Sequence, residues 1–202
     1  MKPQIDKSAS TRWDNSNASY KNYQSYIMSK GEKRFDLTMI DLLYVSNLKG
    51  GNASIHEDEE RVNDKLKAYS EVLRKIEEKF KGKQLRKLNK NDCEELIDLL
   101  KVACNLTKEK ETKIYGIGAS YLSALMNAYF PYLIPILDRR MLINLGIVSN
   151  DDLVPSTKQV RNIENFYGAL VKKSAELLRH DKDKTLRDID REYFIQMLEY
   201  PL

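Results

Sequence analysis

Between Asp58 and Phe80 the apolar residues Val62, Leu66, Tyr69, Leu73, Ile76 and Phe80 recur every three or four positions, with Lys, Arg and Glu between them. That period matches the turn of an α-helix and gathers one apolar stripe along one side. Such a helix cannot bury its stripe alone and must pack against further elements. The rest of the chain repeats the helical period and holds no alternating segment long enough for a useful strand. The expectation is an all-α fold without internal repeats.

Further helices follow from the same reading. Leu37, Ile40, Leu43 and Tyr44 mark one that begins after Phe35 and stops at Gly50-Gly51. Leu96, Leu99, Leu100, Ala103 and Leu106 mark another, capped near Asn91. Pro131 ends a helix running through Leu122, Leu125, Met126 and Tyr129, and a short one starts near Asp138. Ser156 or Thr157 opens a long helix with Val160, Ile163, Phe166 and Leu170 inward. Thr185 and Asp188 form a capping box for a last helix reaching Met197 and Pro201.

At 202 residues the chain fits one domain, or two small helical lobes sharing one core. Residues 1–30 read as an N-terminal arm, packed on the body or partly flexible, because Ser and Asn interrupt any apolar period. Trp13 is expected to pin that arm to the core. Residues 31–202 read as a single helical domain. Cys93 and Cys104 lie eleven apart on one helix and cannot meet, so both are expected reduced, in a reducing compartment. The chain shows neither a signal-peptide pattern nor a run of membrane-spanning length, which points to a cytoplasmic, nucleoid-associated protein with no membrane partner. A net charge of +4 does not by itself announce a polyanionic partner. The basic stretch Lys81–Lys90 could touch phosphate or serve as a solvated connection.

The informative segment is Ile114–Leu145, IYGIGASYLSALMNAYFPYLIPILDRRMLINL. In Gly116-Ile117-Gly118 the glycines permit a sharp turn, and the helix beginning at Ala119 leaves its first amide groups without internal partners. Those amides, with Ser120, can bind a phosphate oxygen, while Ile117 plugs into the core and steadies the turn. Asp138 follows Gly118 by twenty residues and stands before Arg139 and Arg140. An aspartate there caps the following helix well, whatever else it does.

This combination resembles the helix-hairpin-helix DNA glycosylases of base excision repair, with the hairpin near residues 107–130. The resemblance implies a two-lobed helical fold that grips duplex DNA through Gly116, Ile117, Gly118, Ala119, Ser120, Arg139 and Arg140. It implies that Asp138 stabilises the positive charge developing on the sugar as the N-glycosidic bond breaks, and that the base is first extruded into a pocket. Asn47 and Asn52 in the loop Ser46–Ser54, with Tyr121, are the expected pocket residues, although a turn-and-cap role suits both asparagines equally. Two positions depart from the family pattern. Ser120 stands where bifunctional members carry a nucleophilic lysine, so hydrolysis without Schiff-base lyase chemistry is expected. Arg140 stands where the family often has histidine, and could clamp a phosphate or pair with Asp138. No four-cysteine cluster for iron and sulfur is present, and the only ion the pattern suggests is a monovalent cation at the hairpin.

Other chemistry finds less support. His56 and His180 stand alone among charged residues, so neither a metal pair nor a Ser-His-Asp arrangement can be built. Asp188 and Asp190 read as capping and surface charges. The alternative from another class is a non-catalytic hairpin module that binds DNA, as in a bacterial defence or mobile-element system; a third reading is a helical protein-interaction domain with an incidental Gly-Ile-Gly turn.

Overall fold

The computed structural model describes residues 4–51 and 53–196. These form eight α-helices: α1 Lys7–Ser29, α2 Met39–Leu48, α3 Glu59–Phe80, α4 Lys90–Leu106, α5 Ala119–Tyr129, α6 Arg139–Asn144, α7 Tyr167–His180 and α8 Leu186–Ile195. Short 3-10 turns join them, and among the described residues the only β-type pairings are two isolated bridges. One continuous apolar cluster runs from Tyr20 to Ile189, so every helix contributes to a single core. Leu66, Leu73 and Ile76 of α3 and Leu96 and Leu100 of α4 lie at its centre.

The segment expected as an arm is the longest helix. Asp6 caps α1 by accepting the Ala9 amide hydrogen at 3.1 Å. Ala9, Trp13, Tyr20, Tyr23 and Ile27 then bury one face, a sparse stripe in which aromatic size compensates for weak helix formers. Tyr23 donates to Asp41, which is fully buried at the start of α2 and also accepts from Tyr129 and Lys30. This four-way contact fixes α1 against α2 and α5. Desolvation and the neighbouring Asp41 carboxylate hold the Tyr23 hydroxyl well above its ordinary range, so it remains a donor.

The chain ends of the described structure meet. Ile5 bridges to Gln196, and the Asp6 amide donates to the Ile195 carbonyl at 2.9 Å. Arg140 fastens this junction from α6: it donates to the Phe194 and Gln196 carbonyls at 2.6 and 2.7 Å, and to the Asp6 carboxylate at 3.0 Å. Residue 140 therefore faces inward and can neither clamp a phosphate nor neutralise Asp138 with its side chain.

The helix expected from Ser156 begins only at Tyr167. Lys158 and Asn162 adopt left-handed backbone, and Leu153 bridges to Val160, so the chain turns back before it can wind. The capping box of Thr185 and Asp188 forms as the spacing predicts. Met197 and Pro201 lie outside the described residues. Both cysteines are buried and unpaired. In the basic stretch, Arg86 donates to the Lys182 and Lys184 carbonyls and Lys83 pairs with Asp92, which gives these cations structural work. No helix among the described residues is long and apolar enough to cross a membrane.

Candidate functional site

Gly116 and Gly118 lie on the surface, with Ile117 buried between them. The two glycines differ in purpose. Gly116 has φ +86°, and a methyl group there would stand 2.6 Å from the Ser54 carbonyl oxygen, so the close approach it permits is to the chain's own loop. Gly118 has ordinary extended backbone and open space beside it. The side of Gly116 where a side chain would stand is filled by the Ser54 loop, whereas that of Gly118 is open to an approaching ligand. Gly118 also supplies no capping side chain, leaving the first amides of α5, at Ala119 and Ser120, without a side-chain cap. The Tyr115 amide is taken by Glu57 at 3.1 Å, and Glu57 in turn is held by Lys65 and Arg61. Burial opposes ionisation of Glu57, but these partners bring its carboxyl below the ordinary range.

Asp138 occupies the N-cap of α6 and accepts the Arg140 amide hydrogen at 2.9 Å. Its other carboxylate oxygen meets Lys49 Nζ at 2.8 Å, from the residue that follows α2. Burial would raise the acid. The Lys49 charge and hydrogen bond, the Arg140 amide and the Arg139 charge outweigh that and hold it below its ordinary value. Asp138 is thus an anion at neutral pH. Arg139 is half-buried and donates to the Lys158 carbonyl at 2.9 Å, an attachment to its own chain.

Asp138 opens into a cavity of about 490 Å³, within the range of small-molecule sites. Its walls come from α1 (Arg12, Trp13, Ser16), the end of α2 (Asn47, Lys49) and α8 (Arg187, Asp190). Asn47 therefore belongs to the cavity, where its amide donates to Ser19 at 3.0 Å. Tyr121 does not line it and packs half-buried against the core instead. Asn52 lies outside the described residues. The turn at Gly116 and the cavity are joined by one loop, which supplies Gly50 and Gly51 to the cavity wall and Ser54 to the contact with Gly116.

Three participants escaped the sequence reading: Lys49, Arg187 and Asp190. Asp190 is 5 % exposed and no surface charge. Its Oδ2 accepts from Arg187 at 2.6 Å, while Arg187 lies over the Trp13 ring at 3.8 Å and leaves one buried nitrogen without a partner. Desolvation, reinforced by the charge of Asp138 and eased by Arg187 and Lys49, pushes the Asp190 carboxyl up to about 6. A signal was present. Asp190 stands four residues after Leu186 and three before Tyr193, on the inward stripe of α8, where a charge is unusual.

Among the described residues no group of three or more His, Cys, Asp or Glu could hold a metal ion. Comparison with protein-family models, with curated proteins and with solved structures finds no match to this chain. What the site can do chemically is therefore argued from its own residues: one ionised carboxylate, one carboxylic acid with a raised pKa, three cations and an aromatic wall around a space that would admit a nucleobase.

Proposed function

We propose that this protein binds duplex DNA and hydrolyses the N-glycosidic bond of a damaged or mismatched base, in the manner of a monofunctional DNA glycosylase. The observation that carries the reading is Asp138: an anion at a helix head, opening into a cavity large enough to admit a nucleobase, which one loop joins to the exposed turn at Gly118. As the bond breaks, positive charge builds on the deoxyribose, and a fixed carboxylate beside it lowers the barrier while orienting water for attack. The uncapped amides of α5 would hold the strand backbone while the base leaves the stack. Ser120 has no amine for a Schiff base, which favours hydrolysis over lyase chemistry at that position.

The test is incubation of the protein with duplexes carrying uracil, oxidised guanine, alkylated purines or mismatches, followed by alkali and strand analysis. Cleavage that disappears in Asp138→Asn supports the enzyme. Salt-sensitive binding without product supports a second reading, a non-catalytic DNA-binding module. That reading is favoured by one contact, the Lys49 ion pair, which occupies the carboxylate the reaction needs. Failure to bind any duplex at low salt overturns both.

A further inference from the structure

We propose that Asp190 is a second catalytic acid of this cavity, delivering a proton to the departing base while Asp138 faces the sugar. The inference rests on the glycosylase reading above and assigns a role that Asp138 cannot fill. Asp138 is held as an anion by Lys49 and the Arg140 amide and has no proton to give. A leaving base takes the electron pair of the broken C1′–N bond and is a better leaving group once protonated. The lining offers no histidine, its arginines do not release protons at working pH, and the Lys49 ammonium is engaged with Asp138.

Asp190 meets the need by placement. It reaches the cavity from α8, on a different wall from Asp138, which enters from the head of α6. Its Oδ2 is anchored by Arg187, and among the described residues no protein donor reaches its Oδ1. The groups facing it are Arg187 from its own helix, Asp138 from α6, Lys49 from the end of α2 and Tyr20 from α1. Burial and the Asp138 charge keep a proton available at mildly acidic to neutral pH, whereas Arg187 and Lys49 keep the acid from being permanently neutral. Two carboxyl groups of one site pushed in opposite directions is the pattern by which acid and base roles are divided.

The step balances without a further reactant. The C1′–N bond breaks with its electron pair passing to the base, which takes the proton from Asp190 Oδ1. Water adds to C1′, and its proton passes to Asp138. Exchange with solvent then restores the Asp190 acid and the Asp138 anion.

The experiment is single-turnover excision across pH on whichever modified duplex the intact protein cleaves, comparing the parent chain with Asp190→Asn and Asp190→Glu. Duplex affinity and melting temperature are measured for each. The expected result is at least a tenfold slower step in Asp190→Asn at mildly acidic pH, with affinity unchanged and with loss of the limb along which the parent rate falls as pH rises past about 6. Asp190→Glu should restore that limb at a shifted position. Equal pH profiles in the parent and Asp190→Asn overturn the role of Asp190 and leave the glycosylase reading standing, as does a rate loss that is uniform in pH and tracks melting temperature. Absence of product from the parent chain on every duplex overturns the glycosylase reading itself and this role with it.

Discussion

The hydroxyl of Ser123 accepts the Leu137 amide hydrogen at 2.8 Å, buried between α5 and the segment that delivers Asp138. The same hydroxyl donates to the Ser120 carbonyl at 2.8 Å, so the first turn of α5 and the candidate acid are held in register through one oxygen. Ser123→Ala would strand the buried Leu137 amide and is expected to lower stability by about 1–3 kcal/mol, read from urea unfolding. Excision should fall by more than duplex affinity, because Asp138 loses its register while the turn remains. Equal losses in both would show that the two features are not coupled through this contact.

The two glycines of the turn should respond differently. Gly116→Ala combines left-handed backbone with contact to the Ser54 carbonyl and is expected to cost more than about 1 kcal/mol. Gly118→Ala meets only open space and should fold normally, yet weaken duplex binding and flatten its salt dependence if a phosphate sits there. Melting curves and binding isotherms at two salt concentrations separate the two effects.

Arg140→Ala should be among the most damaging substitutions, at about 3 kcal/mol, since it deprives the half-buried Phe194 and Gln196 carbonyls and Asp6 of the donor that joins them. Arg140→Lys should recover little of this, because one ammonium cannot reproduce the guanidinium fork. A melting temperature close to that of the parent chain in either variant would contradict the inward role.

Asp138→Asn keeps a side chain able to cap α6 and removes only the charge opposite Lys49. Both partners are about one-sixth exposed, so a loss on the order of 1–2 kcal/mol is expected. Asp138 is depressed in the folded chain; its stabilising effect is therefore present above its ordinary value and fades as pH falls through the folded one. The gap between the parent chain and Asp138→Asn should narrow on acidification, which urea melts across pH would reveal.

Asp190 behaves with the opposite sign. Its carboxyl rises from 3.8 to about 6 on folding, so its contribution is fully present below the unfolded value and is lost as pH climbs through the folded one. Relative to the parent chain, Asp190→Asn should gain about 3 kcal/mol between roughly pH 4 and pH 7, on top of any constant cost of altering the Arg187 contact. A gap independent of pH would mean that Asp190 titrates normally.

The features legible in the sequence are those fixed by neighbours along the chain. The stripe of α3, the capping box at Thr185 and Asp188, and Asp138 at a helix head all follow from contacts within four residues. Lys49, Arg187 and Asp190 acquire their meaning only when α2 and α8 converge, and a lysine after a helix or an aspartate near a cap is ordinary on its own. Helix α1 was hidden for a related reason. Its Ser and Asn residues disfavour winding locally, and the burial of Trp13, Tyr20 and Tyr23 against distant helices is what stabilises it.

Because Trp13 and Asp190 lie at opposite ends of the sequence yet share one chamber, the order of synthesis matters. A nascent chain that has cleared the ribosome only as far as Tyr129 lacks the walls supplied by Asp138 and by α8, and the chamber takes shape only once α8 emerges and docks. Shortening the chain ahead of Leu186 would remove Asp190, the Arg187 that covers Trp13, and the Phe194 and Gln196 carbonyls that Arg140 holds, so it would open the chamber and loosen α6 in one step.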